Sequence, residues 1–303
     1  MEGEFYSLQK LRETFFPVIS AIRIKIQDGF LFGPLPKQVI YLILIKMNIC
    51  LFRPEEVGKP LDIRDDRAQH IIKILHKNIG DSFSAGIIGQ SSGLALITDI
   101  HTEKGTSPDG KKTFMQGFLT YSYTASGAGK PLYPLKMIVG FPRPIQLKRL
   151  LRDMAGLGVS EIHLTATDLG EKSYLKSDLA QPKAAEQMLL EGSIQAASCH
   201  VPKVFMHQSL EDCLKKLDIQ TGNRLLALDN VRAKESLYAN LSKGSGQAAI
   251  AAIGSERGWT DQERTLLTES GFTLLGLGKR VLRTETAATV AASLILGHLG
   301  YLE

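Results

Sequence analysis

Leu275-Gly276-Leu277-Gly278-Lys279-Arg280-Val281-Leu282-Arg283-Thr284-Glu285-Thr286 decides how the C-terminal half of the chain is read. An apolar run over residues 273–277 leads into it, and a long apolar-faced segment over 285–299 follows. The order is strand, glycine loop, helix. A second loop of this kind, Ile253-Gly254-Ser255-Glu256-Arg257-Gly258, follows the apolar run 248–254 and precedes a helix over 260–270. That helix has a capping box, with Thr260 at the N-cap and Glu263 three residues on, and Gly271 closes it. Continuous apolar strands suit a sheet covered on both faces.

Upstream the same alternation continues. Strands are expected over 135–141, 159–165 and 224–229. Helices are expected over 145–157, entered through Pro144 and ended by Gly158, and over 181–197. The βα order predicts an α/β domain with a mostly parallel sheet over 131–303. Residues 47–130 read differently. Short alternating runs at 61–63, 82–88, 93–100 and 113–123, with one helical stretch at 68–75, predict a small β-barrel. Residues 102–112 look turn-rich and 124–134 look like a linker. Residues 1–46 show no sustained period. They read as an N-terminal extension, with Met47 as the natural start or, alternatively, as an arm packed on the body.

The chain has 303 residues, 44% of them apolar and 22% charged, a balance that excludes collagen-like and disordered classes. Its net charge of +5 leans toward anionic partners but is spread along the chain, with no basic arm. Nucleic-acid contact therefore requires local clusters on a folded surface. Cys50, Cys199 and Cys213 are far apart and odd in number, and no metal-ligand spacing occurs, so no metal site and no disulfide framework are expected. The apolar run 39–45 is too short to span a bilayer. No membrane association and a cytoplasmic location are the expectation.

Both glycine loops stand where open α/β sheets bind ligands, at the C-terminal ends of strands. Neither is a phosphate cradle: the first lacks GK[ST], and the second lacks the third glycine of a dinucleotide loop. Glycines at strand ends are also ordinary turn chemistry. Lys279, Arg280 and Arg283 form a cationic cluster that suits RNA phosphate or a negative charge developing on a base, or is simply a solvated face. Glu285 is a local partner for either arginine. Glu256 suits a base, a substrate anchor or a plain helix-start carboxylate. Lys172 and Tyr174 place an aromatic among lysines, which suits base stacking or plain packing. His70 and His76 flank Lys73 on the small domain and could contact phosphate or ribose, or lie inert on the surface. No hydrolase or kinase signature is present.

The string 277–287 resembles the C-terminal LGxRILRTETA signature of the 16S ribosomal RNA (uracil-N3)-methyltransferases. Residues 253–258 stand where that family has IGPEGG. Gly140-Phe141-Pro142-Arg143-Pro144, Leu157-Gly158-Val159 and Glu171-Lys172-Ser173-Tyr174 are similar to one branch of it, and His70–Leu75 with Gly80-Asp81 is similar to the start of its first domain. The likeness runs from about Met47 to the C-terminus. It implies a PUA-like RNA-binding barrel followed by a SPOUT domain with a deep trefoil knot, an exception to unknotted topology. It implies S-adenosylmethionine bound in the knot loops, a homodimer, and methylation of uridine N3 in 16S rRNA of the small ribosomal subunit. Carried onto this chain, Gly254, Gly258, Leu277, Gly278, Leu282 and Thr286 hold the cofactor. Arg280, Arg283 and Glu256 are the catalytic candidates. His70, Lys73, Lys172, Tyr174, Arg257 and Lys279 are the RNA contacts.

The chain departs from the family at Ser255 and Arg257, which replace the proline and a glycine of PEGG. If that glycine has positive φ in relatives, Arg257 is strained or the loop differs. The alternatives are another SPOUT specificity, such as ribose 2′-O-methylation, or an RNA-binding ribosome-assembly protein without catalysis.

Overall fold

The computed structural model describes residues 48–106, 113–244 and 246–302. The expectations for residues 1–46 and for Met47 lie outside them. The first sheet contains β1 (Cys50–Phe52), β2 (Leu61–Asp62), β3 (Ser82–Ile87), β4 (Ser91–Thr106) and β5 (Thr113–Gly127). It is mixed, with order β1-β3-β4-β5-β2 and β1 parallel to β3. Phe52 stacks on Tyr121 at 4.6 Å inside it, and Ile71, Ala85, Ala95 and Leu119, each with no measurable exposure, belong to the same core. The helical stretch expected over 68–75 is a short helix α1 (Asp66–Gln69) that widens into a π-helical turn, His70–Ile74.

Two boundaries differ from the sequence reading. Residues 102–106 are strand, because β4 pairs with β5 far past the expected end, with Thr102 opposite Gly117 and Lys104 opposite Met115. Cross-strand pairing outweighs the turn-like composition there. The expected linker 124–134 shrinks likewise: β5 runs to Gly127 and the next strand starts at Tyr133.

The second sheet contains β6 (Tyr133–Gly140), β7 (Val159–Thr165), β8 (Lys203–His207), β9 (Asn223–Leu228), β10 (Glu235–Ser236), β11 (Ala248–Ile253) and β12 (Thr273–Gly276). All seven are parallel, in the order β10-β12-β9-β11-β6-β7-β8. From β6 the chain winds outward through β7 and β8. It then crosses to β9, and later inserts β11 between β9 and β6, so the winding direction reverses there. Helices α2 (Pro144–Leu157), α3 (Pro182–Gln195), α4 (Leu210–Lys216), α5 (Leu237–Leu241), α6 (Asp261–Glu269) and α7 (Thr284–His298) cover both faces. Period-two alternation sorts the strands between them: Leu135, Met137, Val139, Ala249 and Ala251 pack with α2, α3 and α7, while Ile138, Ile250 and Ala252 pack with α4 and α6. The strand β8 and the helices α4 and α5 were not expected. All three are short, and β8 is an edge strand that alternates exposed with half-buried side chains before the buried His207.

The first sheet meets the end of α3 and the connection to β8 where Ile49 and Leu51 pack with Cys199. Among the described residues, no helix is long and apolar enough to cross a membrane.

Candidate functional site

Three neighbouring strands, β9, β11 and β12, each release a loop at the C-terminal edge of the sheet. Leu228–Asn230, Ile253–Glu256 with Gly258, and residues 277–278, 280–282 and 284 line a cleft of about 90 Å³ beside the point where the winding reverses. Leu277, Gly278, Arg280 and Leu282 belong to this wall, and Ala287 of α7 closes it.

Sequence sets the middle loop locally. Gly258 takes φ +76°, its N–H donates to Ser255 O at 2.9 Å, and a Cβ on Gly254 would stand 2.9 Å from the Gly258 carbonyl carbon. The loop therefore folds back on itself with backbone against backbone. The left-handed position falls on Gly258, and Arg257 is not among the residues of positive φ, so the strain that its replacement of a glycine raised does not arise. Arg257 points outward and is exposed. Neighbours lock the loop in place. Thr284 Oγ1 donates to Gly254 O at 3.4 Å, and Glu256 Oε1 accepts from Arg143 N at 3.1 Å, with Arg143 Nε at 3.9 Å. Below it, Trp259 is buried and its indole N–H donates to Leu228 O at 3.1 Å, tying this loop to the end of β9.

Asp229, at the mouth of β9, is buried. It accepts from Arg264 Nε at 3.0 Å and from the backbone N–H of Arg232 at 2.5 Å. Ser255 Oγ also belongs to the cleft residues, yet it is buried with no hydrogen-bond partner among the described residues. A buried hydroxyl left unmatched costs about 1–3 kcal/mol, so it marks a place for a polar ligand atom. An orphan hydroxyl, open backbone at Gly278 (φ +103°, with open space where a Cβ would be) and apolar Leu277 and Leu282 fit a ligand with both polar and apolar parts.

Arg280 borders the cleft, and Lys279, Arg280 and Arg283 are all exposed with no carboxylate partner among the described residues. Glu285, expected beside the arginines, is instead buried in the first turn of α7. Of the six proposed cofactor residues, Gly254, Gly258, Leu277, Gly278 and Leu282 come together here. Thr286 does not; it is exposed on α7, outside the cleft wall.

The proposed RNA contacts scatter. Lys73 is exposed on the π-helical turn, whereas His70, which opens that turn, is buried at 5% exposure and does not lie on the surface as expected. Tyr174 is half buried against the main core, the packing alternative, while Lys172 is exposed at the rim of a second cavity. That cavity, of about 760 Å³, lies at the C-terminal ends of β6, β7 and β8, and sequence reading did not find it. Behind it His163 Nδ1 and His207 Nε2 lie 3.0 Å apart, with the rings stacked at 5.2 Å. Burial, followed by the neighbouring His207, holds His163 well below the ordinary imidazole value despite the opposing Glu161. Cys213 lies within 4.8 Å of both rings. The 3.0 Å contact is a direct hydrogen bond, shorter than the roughly 3.4 Å between two nitrogens on one tetrahedral zinc at about 2.05 Å.

An α/β domain with a ligand cleft of three loops at its winding reversal defines the class, and residues 129–296 match the family described as RNA methyltransferase domain. The chain is 39% identical over 258 residues to the ribosomal RNA small subunit methyltransferase E of Treponema pallidum, covering 83% of this chain and 91% of that one. It is 29% identical over 249 residues to ribosomal RNA small subunit methyltransferase E 1 of Borreliella burgdorferi, with 82% and 97% covered. The crystal structure of a ribosomal RNA small subunit methyltransferase E from Neisseria gonorrhoeae, bound to S-adenosyl methionine, shares the fold with a TM-score of 0.61 at 23% identity, covering 83% of this chain and 97% of that one. The chain belongs to the ribosomal RNA small subunit methyltransferase E family of RNA methyltransferases.

Proposed function

We propose that this chain is an S-adenosylmethionine-dependent enzyme that methylates N3 of a uridine in 16S rRNA of the small ribosomal subunit. The observation that carries the reading is the three-loop cleft, lined both by Ser255, whose hydroxyl has no partner among the described residues, and by the exposed Arg280. When bound, S-adenosylmethionine supplies an electrophilic methyl group. The backbone of Gly254, Gly258, Leu277, Gly278 and Leu282 would hold it, with Ser255 Oγ as a further contact.

The chain's own residues then have to bring a uracil imide to the cleft and stabilise its anion. Arg280 at the cleft, and Arg283 farther along the same loop, are the candidates to supply positive charge where negative charge collects on the carbonyl oxygens. Glu256 is the candidate to take the N3 proton. Its Oε1 is engaged by Arg143 N, which orients the carboxylate and leaves Oε2 for that role. Lys73, Lys172, Arg257 and Lys279 are exposed cations and are the candidates to meet RNA phosphate. The first sheet as a PUA-like barrel over 47–130, a knotted SPOUT domain over 131–303, a homodimer and a cytoplasmic location belong to the same reading. Its support is the family membership, the mixed first sheet and the all-parallel second sheet.

The test is methyl transfer from labelled S-adenosylmethionine to small ribosomal subunits and to naked 16S rRNA, with nucleosides identified by mass spectrometry. N3-methyluridine is the expected product; a ribose-methylated nucleoside, or no transfer to either substrate, refutes the assignment. Leu277→Arg is expected to abolish cofactor binding by calorimetry while the circular dichroism spectrum is unchanged. Retained affinity would move the cofactor out of this cleft.

A further inference from the structure

The three-loop cleft is smaller than the ligand it has to hold. Its volume is about 90 Å³, under a third of the roughly 300 Å³ at which small-ligand sites begin. A wall therefore has to move before a cofactor enters, and the three walls are not held alike.

The wall at 253–258 is tied from several sides. Glu256 Oε1 accepts from Arg143 N, Thr284 Oγ1 donates to Gly254 O, and Trp259 just beyond the loop donates to Leu228 O. The wall at 228–232 is tied as well. Asp229 N donates to Leu275 O at 2.9 Å, which fixes the turn to the end of β12. The buried Asp229 carboxylate accepts from Arg264 Nε and from the backbone N–H groups of Val231 and Arg232. The Arg232 guanidinium donates to Asp261 at 2.6 Å.

The third wall has no such ties. Residues 278–282 make no hydrogen bond and no ion pair among the described residues. Lys279, Arg280, Val281 and Arg283 are exposed, Val281 at 78%. The span is fastened at its two ends: Leu277 packs on the main core, and Thr284 is buried at the start of α7. Gly278 has φ +103°, a conformation free of strain for glycine, and no atom lies within 4 Å of where its Cβ would be. The chain can turn there without collision. A segment with few contacts and no hydrogen bonds is the one that opens at least cost.

We propose that residues 278–283 form a gate over this cleft: the strap swings out about Gly278 to admit S-adenosylmethionine and returns over it, while the other two walls stay in place. The inference rests on the reading of this cleft as the cofactor site. The movement also carries charge. Arg280 lines the closed cleft, so opening takes this cation away and closing returns it. Capture of the cofactor and arrival of Arg280 at the cleft are one step.

The test places a nitroxide label on each of two walls of the full-length protein. Cys50, Cys199 and Cys213 are buried, so a single added surface cysteine takes the label. Val281→Cys reports the strap, and Val231→Cys, at a position 68% exposed, reports the tied turn. Without cofactor the label at 281 is expected to show a mobile spectral component that the label at 231 lacks. S-adenosylmethionine is expected to remove that component and to leave the spectrum at 231 unchanged. Stopped-flow mixing of the unlabelled protein with cofactor, followed by the fluorescence of Trp259, the single tryptophan of the chain, is expected to give an observed rate that levels off as cofactor concentration rises. Gly278→Ala strains the closed strap and is expected to raise the rate of cofactor dissociation about tenfold. Equal mobility of the two labels in the free protein, an observed rate that climbs linearly with concentration, or unchanged dissociation from Gly278→Ala overturns the gate. Calorimetry with S-adenosylmethionine separates the two readings. A mobile strap on a protein that binds no cofactor sinks the cofactor reading, and cofactor binding with equal mobility at 281 and 231 sinks the gate alone.

Discussion

Arg264→Met tests whether the mouth of the first cleft is held by a buried ion pair. Arg264 Nε donates to Asp229 Oδ1 at 3.0 Å, and the two side chains are 10% and 1% exposed. Methionine keeps the stem and removes the charge. The Asp229 carboxylate then stays buried with two backbone donors, Arg232 N at 2.5 Å and Val231 N at 3.3 Å. Removing one partner of a buried pair costs about 3–5 kcal/mol. The two remaining donors put this case at the lower end, about 3 kcal/mol. The second bond of Arg264, to Asp261 Oδ1 at 2.9 Å, adds little, because Asp261 is 66% exposed. Urea unfolding reads the change as a shift in midpoint at constant slope. Arg264→Met with Asp229→Asn removes the orphaned charge and is expected to recover about 1–2 kcal/mol relative to the two single losses added together. A loss under about 1 kcal/mol for the single variant, or strict additivity in the double, refutes the reasoning. Because Asp229 also fixes the 229–232 turn, cofactor affinity is expected to fall in Arg264→Met, measured by calorimetry.

Arg280→Ala is expected to slow methyl transfer about 100-fold with cofactor affinity retained, since its role is in stabilising developing charge; rates within threefold of wild type (about 0.7 kcal/mol) would remove it from the chemistry. Thr260→Ala breaks the capping box and the bond to Asp168, and should cost about 1–2 kcal/mol in urea unfolding, against no change if the box is ornamental. The His163 imidazole is held below its ordinary value of 6.5 by burial, so the unfolded chain binds a proton that the folded chain refuses. Stability is present above 6.5 and is lost as pH falls below it. His163→Gln is expected to flatten that acid limb of the stability profile, and an unchanged limb would assign it to other groups.

Most of the second sheet was legible because its strands are continuous apolar runs bounded by glycine and its helices carry their own stop signals. Thr260 and Glu263 form the box their spacing predicts, and Gly158 caps α2 at φ +79°. The Gly254 and Gly278 loops were found for the same reason. What escaped was set by distant partners. Asp229 looks in sequence like the end of a strand, and only Arg264, thirty-five residues away, makes it a buried anion. His163 and His207 sit on adjacent strands that are separated by forty-four residues. Their pairing comes from the register, which opposes His163 to Phe205 and Thr165 to His207.

Glu263 carries more than the start of its helix. One carboxylate oxygen accepts from Asp168 N at 3.0 Å, and the other accepts from Thr260 N at 2.8 Å. Both oxygens are therefore committed, and to different segments of the chain. Aspartate is one methylene short of that span, and glutamine offers one carbonyl oxygen where two acceptors are needed. The position thus has an alphabet of a single letter, set by reach and valence together. Drift in the loop after β7 has to proceed around this residue, keeping the Asp168 amide in place while its side chain and neighbours change.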